Sequence, residues 1–178
     1  MNLPNKLTIL RICLIPFFMF FILTDFFQYT ELVALIIYVA ASITDSVDGH
    51  IARKYNLITD FGKFMDPLAD KLLVISSLVC FVEIGVLNSW VVMIIIAREL
   101  AITGFRTLAA NKGITLAANI WGKLKTICQM TTIILLLVIN AEMLLFLDIL
   151  VLPLVALTVL LTLLSGFIYI IQNKSVLK

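Results

Sequence analysis

The chain has 178 residues, 62% hydrophobic and 13% charged, with a mean hydropathy of +1.15 and a formal charge of +2. That much apolar sequence excludes a water-soluble globular domain of this size and leaves one integral membrane domain over residues 1–178. The small net charge gives no footing for a nucleic-acid partner, and the distribution of charge says more than its sum.

Six apolar segments follow one another, at roughly 7–25, 32–54, 61–83, 88–110, 119–139 and 148–171, each near the length of about 20 residues that a span requires. The expected fold is therefore all-α: a polytopic protein with six transmembrane helices. Asp25–Glu31, Glu83–Trp90 and Asn140–Asp148 hold no Lys or Arg, whereas Lys6, Arg11, Arg53, Lys54, Lys63, Arg106, Lys112, Lys123, Lys125, Lys174 and Lys178 fall at the other ends. The positive-inside rule then puts both termini and the loops near 55–60 and 111–118 on the cytoplasmic side. The first apolar run follows Lys6 and Arg11 as a signal peptide would. It continues for about a full span without a small-x-small cleavage site, and it reads as an uncleaved first span.

Pro4 is placed as a helix-start residue, so a short interfacial helix is expected before the first span. Thr8 and Arg11, three apart, share one face. Arg11 lies one to two turns into the span and has two readings: it snorkels to the interface, or it points at an anionic ligand. Asn56 to Thr59 form a cytoplasmic turn, with Thr59 or Asp60 able to cap the third helix. Pro67 removes a backbone donor and is expected to bend or loosen that helix, and Lys71 has the reach to snorkel or to pair. In the fourth segment the Arg98-Glu99 pair lies mid-span and must be satisfied internally, one reading being a structural ion pair. Arg106, eight residues on, falls on nearly the same face. Trp121 is an interface anchor by default. Lys123 and Lys125 diverge by about 160°, so at most one faces an acidic site well. The sixth segment, with Pro153 and Ser165-Gly166, reads as packing surface. Cys13, Cys80 and Cys128 are scattered and fit small apolar positions, and the single histidine, His50, excludes a histidine-rich metal site.

The stretch Asp45 to Asp70 carries the chemistry. Asp45 and Asp48 stand at i, i+3 and Asp66 and Asp70 at i, i+4, spacings that put side chains on one helix face. Asp48 lies about 60° from Asp45, Gly49 about 40° to the other side and Ala52 about 20° away; Gly62 lies about 40° from Asp66. Acids flanked by the smallest residues suggest a metal site that something bulky approaches closely. Four nearby carboxylates repel one another, and two divalent cations would cancel their formal charge. Hard cations such as Mg²⁺ take oxygen ligands and keep open positions for phosphate oxygens. Such a site, opening to the cytoplasmic side near Arg and Lys, fits phosphoryl transfer clamped by two metals, with Asp70 placed to act as base on an acceptor hydroxyl. The alternatives are helix-end acids that simply face water, and a divalent-cation transporter with intramembrane acids as its pathway. The transporter predicts acids spread through the membrane depth, whereas these cluster towards one side.

The pattern Asp45-x2-Asp48-Gly49-x2-Ala52-Arg53-x8-Gly62-x3-Asp66-x3-Asp70 resembles, in all eight fixed residues, the signature of the CDP-alcohol phosphatidyltransferases. The resemblance implies a six-helix membrane enzyme, usually a homodimer, that uses Mg²⁺ or Mn²⁺ and displaces CMP from a CDP-linked lipid with an alcohol. It implies Asp45, Asp48, Asp66 and Asp70 as metal ligands and Asp70 also as the catalytic base. Gly49, Ala52 and Gly62 would admit the CDP moiety, and Arg53 would support the phosphates. The segments NLPNKLTILRICLIPFF, FGKFMDPLADKLL, IAREL, GFR and WGKLKT are further similar to the bacterial phosphatidylglycerophosphate synthase branch of that family. This implies CDP-diacylglycerol as donor, glycerol 3-phosphate as acceptor and a bacterial cytoplasmic (inner) membrane location among membrane lipids. Candidates for the acceptor's phosphate are Arg106, Lys123 or Lys125, Arg11 and Arg98. A sister transferase using serine, inositol or phosphatidylglycerol is the alternative within the family.

Overall fold

The computed structural model describes residues 2–54, 59–113, 116 and 120–174, with backbone alone at 45–54, 60 and 63. Among them every regular element is helical: α1 (Leu3–Leu23), α2 (Thr30–Lys54), α3 (Asp60–Glu83), α4 (Ser89–Asn111), α5 (Ile120–Asn140), a 3₁₀ turn at Leu145–Leu150, and α6 (Val151–Gln172). At 1.5 Å per residue the six α-helices are about 30–38 Å long, the thickness of a bilayer core or slightly more. Three segments among the described residues are long and apolar enough to cross a membrane: Leu3–Leu23, Ile120–Asn140 and Leu145–Gln172. The helices α2, α3 and α4 are of similar length but more polar: α2 and α3 carry the acids of the motif, and α4 carries Arg98, Glu99 and Arg106. In α2 the apolar part ends at Thr44, directly before Asp45. With so many large apolar side chains turned outward, such as Phe17, Ile36, Leu72, Leu160 and Phe167, this is a membrane protein.

The chain forms two compact units, Met1–Val86 with Leu136–Leu145, and Leu87–Leu135 with Phe146–Lys178. In the first, α1 packs along both α2 and α3, while α2 and α3 meet over a shorter stretch. Pro4, Thr8, Arg11, Ile15, Phe18 and Ile22 are the buried row of α1, spaced alternately by four and three residues along one face. The row is polar near the N-terminus and apolar beyond Arg11. Ala34, Tyr38 and Ala41 form the matching row of α2; the two alanines let backbones approach, and the Tyr38 ring lies 5.7 Å from that of Phe18. On α3 the row is Gly62, Asp66, Ala69, Leu73, Ser76 and Cys80.

Local chemistry sets the helix limits. The helix α1 starts at Leu3 with Pro4 in its first turn, so the expected interfacial helix is part of the first span. Thr59 caps α3, its hydroxyl accepting from the Gly62 N–H at 3.0 Å. The helix α3 ends in a Schellman motif around Gly85 at φ +77°, where Val86 N–H donates to the Phe81 carbonyl and Gly85 N–H to that of Val82. The loosening expected at Pro67 does not interrupt α3, which runs on from Asp60 to Glu83. One missing donor does not stop the helix, whose flanking turns are hydrogen-bonded; separately, Lys71 Nζ donates to the Pro67 carbonyl at 3.3 Å.

In the second unit α4 packs on α6, with Ile102, Phe105, Ala109 and Tyr169 as a buried cluster against which Leu116 rests. Arg98 meets Ser165 and Arg106 meets Tyr169, so contacts advance in the same direction on both helices and α4 and α6 run parallel. The same holds in the first unit, where Asn5 meets Thr59 and Thr8 meets Asp66.

Phe18 is fully buried and Phe17 is 58% exposed. Phe18→Ala is expected to destabilise the folded protein by about 3–5 kcal/mol and Phe17→Ala by far less. Thermal unfolding of both variants in one detergent checks the ordering.

Candidate active site

The described part of the acidic site belongs to the first unit. Asp66 and Asp70 stand one turn apart on α3 and both are half-buried. The Thr8 hydroxyl donates to Asp66 Oδ1 at 2.7 Å, a well-formed O–H···O bond. Asp70 lies within electrostatic reach of Tyr38 on α2. Positions 45, 48 and 52 continue the Ala34-Tyr38-Ala41 row of α2 by register, at the end where the chain turns towards α3. The side chains of Asp45, Asp48, Gly49, Ala52 and Arg53 lie outside the described residues, as does that of His50. Among the described residues no three His, Cys, Asp or Glu gather at one point.

Gly62 has a clear local reason to lack a side chain. A Cβ there would stand 3.1 Å from Asn5 Oδ1, 3.2 Å from Thr59 Oγ1 and 3.6 Å from Asp66 Oδ2. Three oxygens thus converge on the bare face of Gly62, and Thr59 Oγ1 also donates to Asn5 Oδ1 at 2.9 Å. Arg11, on the same row of α1 as Thr8, is fully enclosed in the chain. Its side chain lies inside the chain, which sets aside the snorkelling reading.

The other proposed phosphate-binding cations belong to the second unit. Lys125 is buried and ion-paired with Glu99. Arg98 Nη1 lies 3.7 Å from the same carboxylate, and its Nη2 donates to the Ser165 hydroxyl at 2.9 Å. Its aliphatic stem crosses Gly166, where a Cβ would stand 3.1 Å from Arg98 Cγ. The Arg98-Glu99 pair thus finds partners within its own unit, although the buried Arg98 Nε has none among the described residues. Arg106 is exposed, with Nε donating to the Tyr169 hydroxyl at 3.0 Å and its guanidinium carbon 5.2 Å from the ring centroid. Lys123 is exposed and Lys125 buried, as their divergence around the helix requires.

The sequence model of the CDP-alcohol phosphatidyltransferase family matches residues 1–170. This chain belongs to that family. It is 45% identical over 150 residues to the CDP-diacylglycerol–glycerol-3-phosphate 3-phosphatidyltransferase of Bacillus subtilis (strain 168), covering 78% of each chain. To the enzyme of the same name from Rickettsia bellii (strain RML369-C) it is 36% identical over 171 residues, 94% of this chain and 93% of the relative. A probable phosphatidylglycerophosphate synthase of Mycobacterium tuberculosis (strain CDC 1551 / Oshkosh) is 39% identical over 134 residues, 74% of this chain and 64% of the relative.

Enzymes of the family generally use divalent metal ions. The described residues fit such a group. Asp66 and Asp70 offer hard carboxylate oxygens, the hydroxyl beside Asp66 is neutral and leaves its charge intact, and Gly62 keeps the adjoining space free of a side chain. Sequence reasoning passed over Asn5, and it noted Thr8 only as a neighbour of Arg11. The available signal was their place beside Arg11, three residues apart each time, in a helix that is otherwise almost wholly apolar.

Gly62→Ala is expected to destabilise by about 1–3 kcal/mol through crowding of Asn5 and Thr59. Unfolding in detergent should show a smaller loss when Asn5 is already Ala, a non-additivity of at least about 0.5 kcal/mol. Lys125→Met leaves Glu99 without its buried partner and should cost about 3 kcal/mol, most of it recovered in Lys125→Met/Glu99→Leu. Lys123→Met, at an exposed position, should change the same melting curve little.

Proposed function

We propose that this chain transfers the phosphatidyl group of CDP-diacylglycerol to glycerol 3-phosphate, releasing CMP and phosphatidylglycerophosphate. The observation that carries the reading is the complete eight-residue spacing on α2 and α3, in a chain whose relatives at 36–45% identity bear that enzyme name. Asp45, Asp48, Asp66 and Asp70 would hold two divalent cations. The all-oxygen donor set suits Mg²⁺ or Mn²⁺. When bound, the cations neutralise and polarise the diphosphate oxygens.

The chain's own residues do the rest. Gly49, Ala52 and Gly62 leave room for the CDP moiety, and Arg53 supports its phosphates. Asp70 takes the proton of the acceptor hydroxyl as its oxygen attacks the lipid-bearing phosphorus in line with the departing CMP. One P–O bond forms, the P–O bond to CMP breaks, and the proton resides on the Asp70 carboxylate. Of the cations considered for the acceptor's phosphate, Arg106 and Lys123 are exposed, whereas Lys125 and Arg98 are engaged with Glu99 and Arg11 is enclosed. We assign the phosphate to the exposed pair.

The proposed setting is a bacterial cytoplasmic membrane, crossed six times, with both termini and the site on the cytoplasmic side. Helix lengths support it, as do the parallel pairs α1/α3 and α4/α6, each of which requires a crossing between its members, and the one-sided Lys and Arg. A single domain over 1–178 accords with a family match that spans 1–170. The homodimer is proposed on family resemblance.

Purified protein in detergent, given CDP-diacylglycerol and Mg²⁺, should release CMP only when glycerol 3-phosphate is present, and chelation should stop it. Asp70→Asn should lower the rate by at least about a hundredfold. Release with serine, inositol or phosphatidylglycerol in place of glycerol 3-phosphate would replace the acceptor. Folded, metal-binding protein that releases no CMP with any alcohol would favour cation transport.

A further inference from the structure

We propose that the first turns of α1 set the metal affinity of the site: Thr8 is a positioning residue that fixes the Asp66 carboxylate, and Asn5 with Thr59 hold α1 against α3 so that it can. The inference rests on the reading of Asp66 as a metal ligand.

The Thr8 hydroxyl is the one among the described threonines that reaches a carboxylate on another helix. Several other threonines turn their hydroxyls back to the carbonyl four residues earlier, while Thr30, Thr158 and Thr162 do not. Thr24, Thr44, Thr103, Thr107, Thr126 and Thr131 do so at 2.6–3.0 Å. The Thr8 oxygen stands 3.1 Å from the corresponding Pro4 carbonyl but 2.7 Å from Asp66 Oδ1. A hydroxyl has one proton, and the shorter contact to a charged acceptor takes it. Thr8 is fully buried, so water does not compete for that proton.

The consequence concerns both carboxylate oxygens. The bond occupies Oδ1 and stops rotation of the carboxylate, while Oδ2 stays on the side of Gly62, 3.6 Å from the point where a Cβ would be. A neutral donor orients the group without cancelling its charge, which a lysine or arginine at position 8 would do. The carboxylate is thereby ordered before a cation arrives, and less freedom is lost on binding. The distance between α1 and α3 is held by a second chain of bonds: Gly62 N–H donates to Thr59 Oγ1 at 3.0 Å, and Thr59 Oγ1 donates to Asn5 Oδ1 at 2.9 Å. Asn5 and Thr8 lie one turn apart on the buried face of α1.

The test is Mn²⁺ binding by purified protein in detergent, read by electron paramagnetic resonance of the free ion, for wild type, Thr8→Val, Thr8→Ser and Asp66→Asn. Valine keeps the shape and removes the hydroxyl; serine keeps the hydroxyl. Thr8→Val should weaken Mn²⁺ binding by about tenfold or more, the range seen when a group that orients a metal ligand is lost. Thr8→Ser should bind as wild type does. In CMP release, Thr8→Val should raise the half-saturating metal concentration by the same factor and leave the rate at saturating metal nearly unchanged. Wild-type Mn²⁺ affinity in Thr8→Val, with weakened binding in Asp66→Asn, overturns the positioning role alone. Equal losses in Thr8→Ser and Thr8→Val assign the effect to packing and also overturn it. Wild-type affinity in Asp66→Asn overturns the ligand reading itself.

Discussion

A carboxylate in an apolar bundle must be held by something, and here the hydrogen bond from Thr8 to Asp66 shows how. An unpartnered acid at membrane depth costs a few kcal/mol even on mild scales. Neutralising each acid with its own lysine would remove the cost and also the negative charge that a cation needs. Instead α1 lies along both motif helices and turns the short polar groups Asn5 and Thr8 towards α3, in the same buried row as Arg11. Asn5 and Thr8 contribute no charge, and small residues at Gly62, Ala34 and Ala41 let the backbones come close enough for such short side chains to reach. The first unit depends on this arrangement. Among the described residues, α2 and α3 share far less contact with each other than either shares with α1.

The second unit solves a similar problem with charge. Glu99 is met by both Lys125 and Arg98, and Arg98 is held in turn by Ser165. Breaking one member strands a buried charge, so such clusters specify one arrangement of helices more than they stabilise it against an apolar substitute. Thr132 and Thr158 add a hydroxyl pair at 2.9 Å between α5 and α6. In lipid, where apolar side chains gain little by leaving their surroundings, pairs of this kind and close van der Waals fit are what distinguish one helix packing from another.

The sequence makes the helices and the acids legible for different reasons. Segment lengths follow from hydropathy, because a span leaves a run of about 20 apolar residues that no loop imitates. The acids at 45, 48, 66 and 70 stand out because charge there is costly and their spacing is rigid. The start of α1 was read four residues late, since Lys6 and two asparagines dilute the apolar signal while Pro4 still begins the helix. Pro67 carries a local signal for a bent or loosened turn, and α3 runs on through it as one helix. Asn5, Thr8 and Thr59 carry no comparable signal as a group: a single neutral polar residue near an apolar helix is common, and only the fold reveals that Asn5 and Thr59 meet at Gly62 and that Thr8 reaches Asp66 beside them. Sequence leaves both readings of Arg11 open because each places it on the same face, and only its burial in the fold removes snorkelling.

The three rows of the first unit share a polarity that bears on how the site can be maintained. Along α1 the row passes from Asn5, Thr8 and Arg11 to Ile15, Phe18 and Ile22; along α3, from Gly62 and Asp66 to Leu73, Cys80 and Phe81. The helix α2 runs the other way, from Ala34 and Tyr38 to the positions of Asp45 and Asp48. Because α1 and α3 are parallel and α2 returns between them in the chain, the polar ends gather at one end of the unit and the apolar ends at the other. Ring contact between Phe18 and Tyr38 belongs to the apolar end, and the Thr8–Asp66 bond to the polar one. Close packing at one end can then hold the helices together while Asp66 and Asp70 stand one turn apart at the other. The separation matters because a site of the proposed kind, open to a cation and a diphosphate, cannot also be the most tightly filled part of the fold.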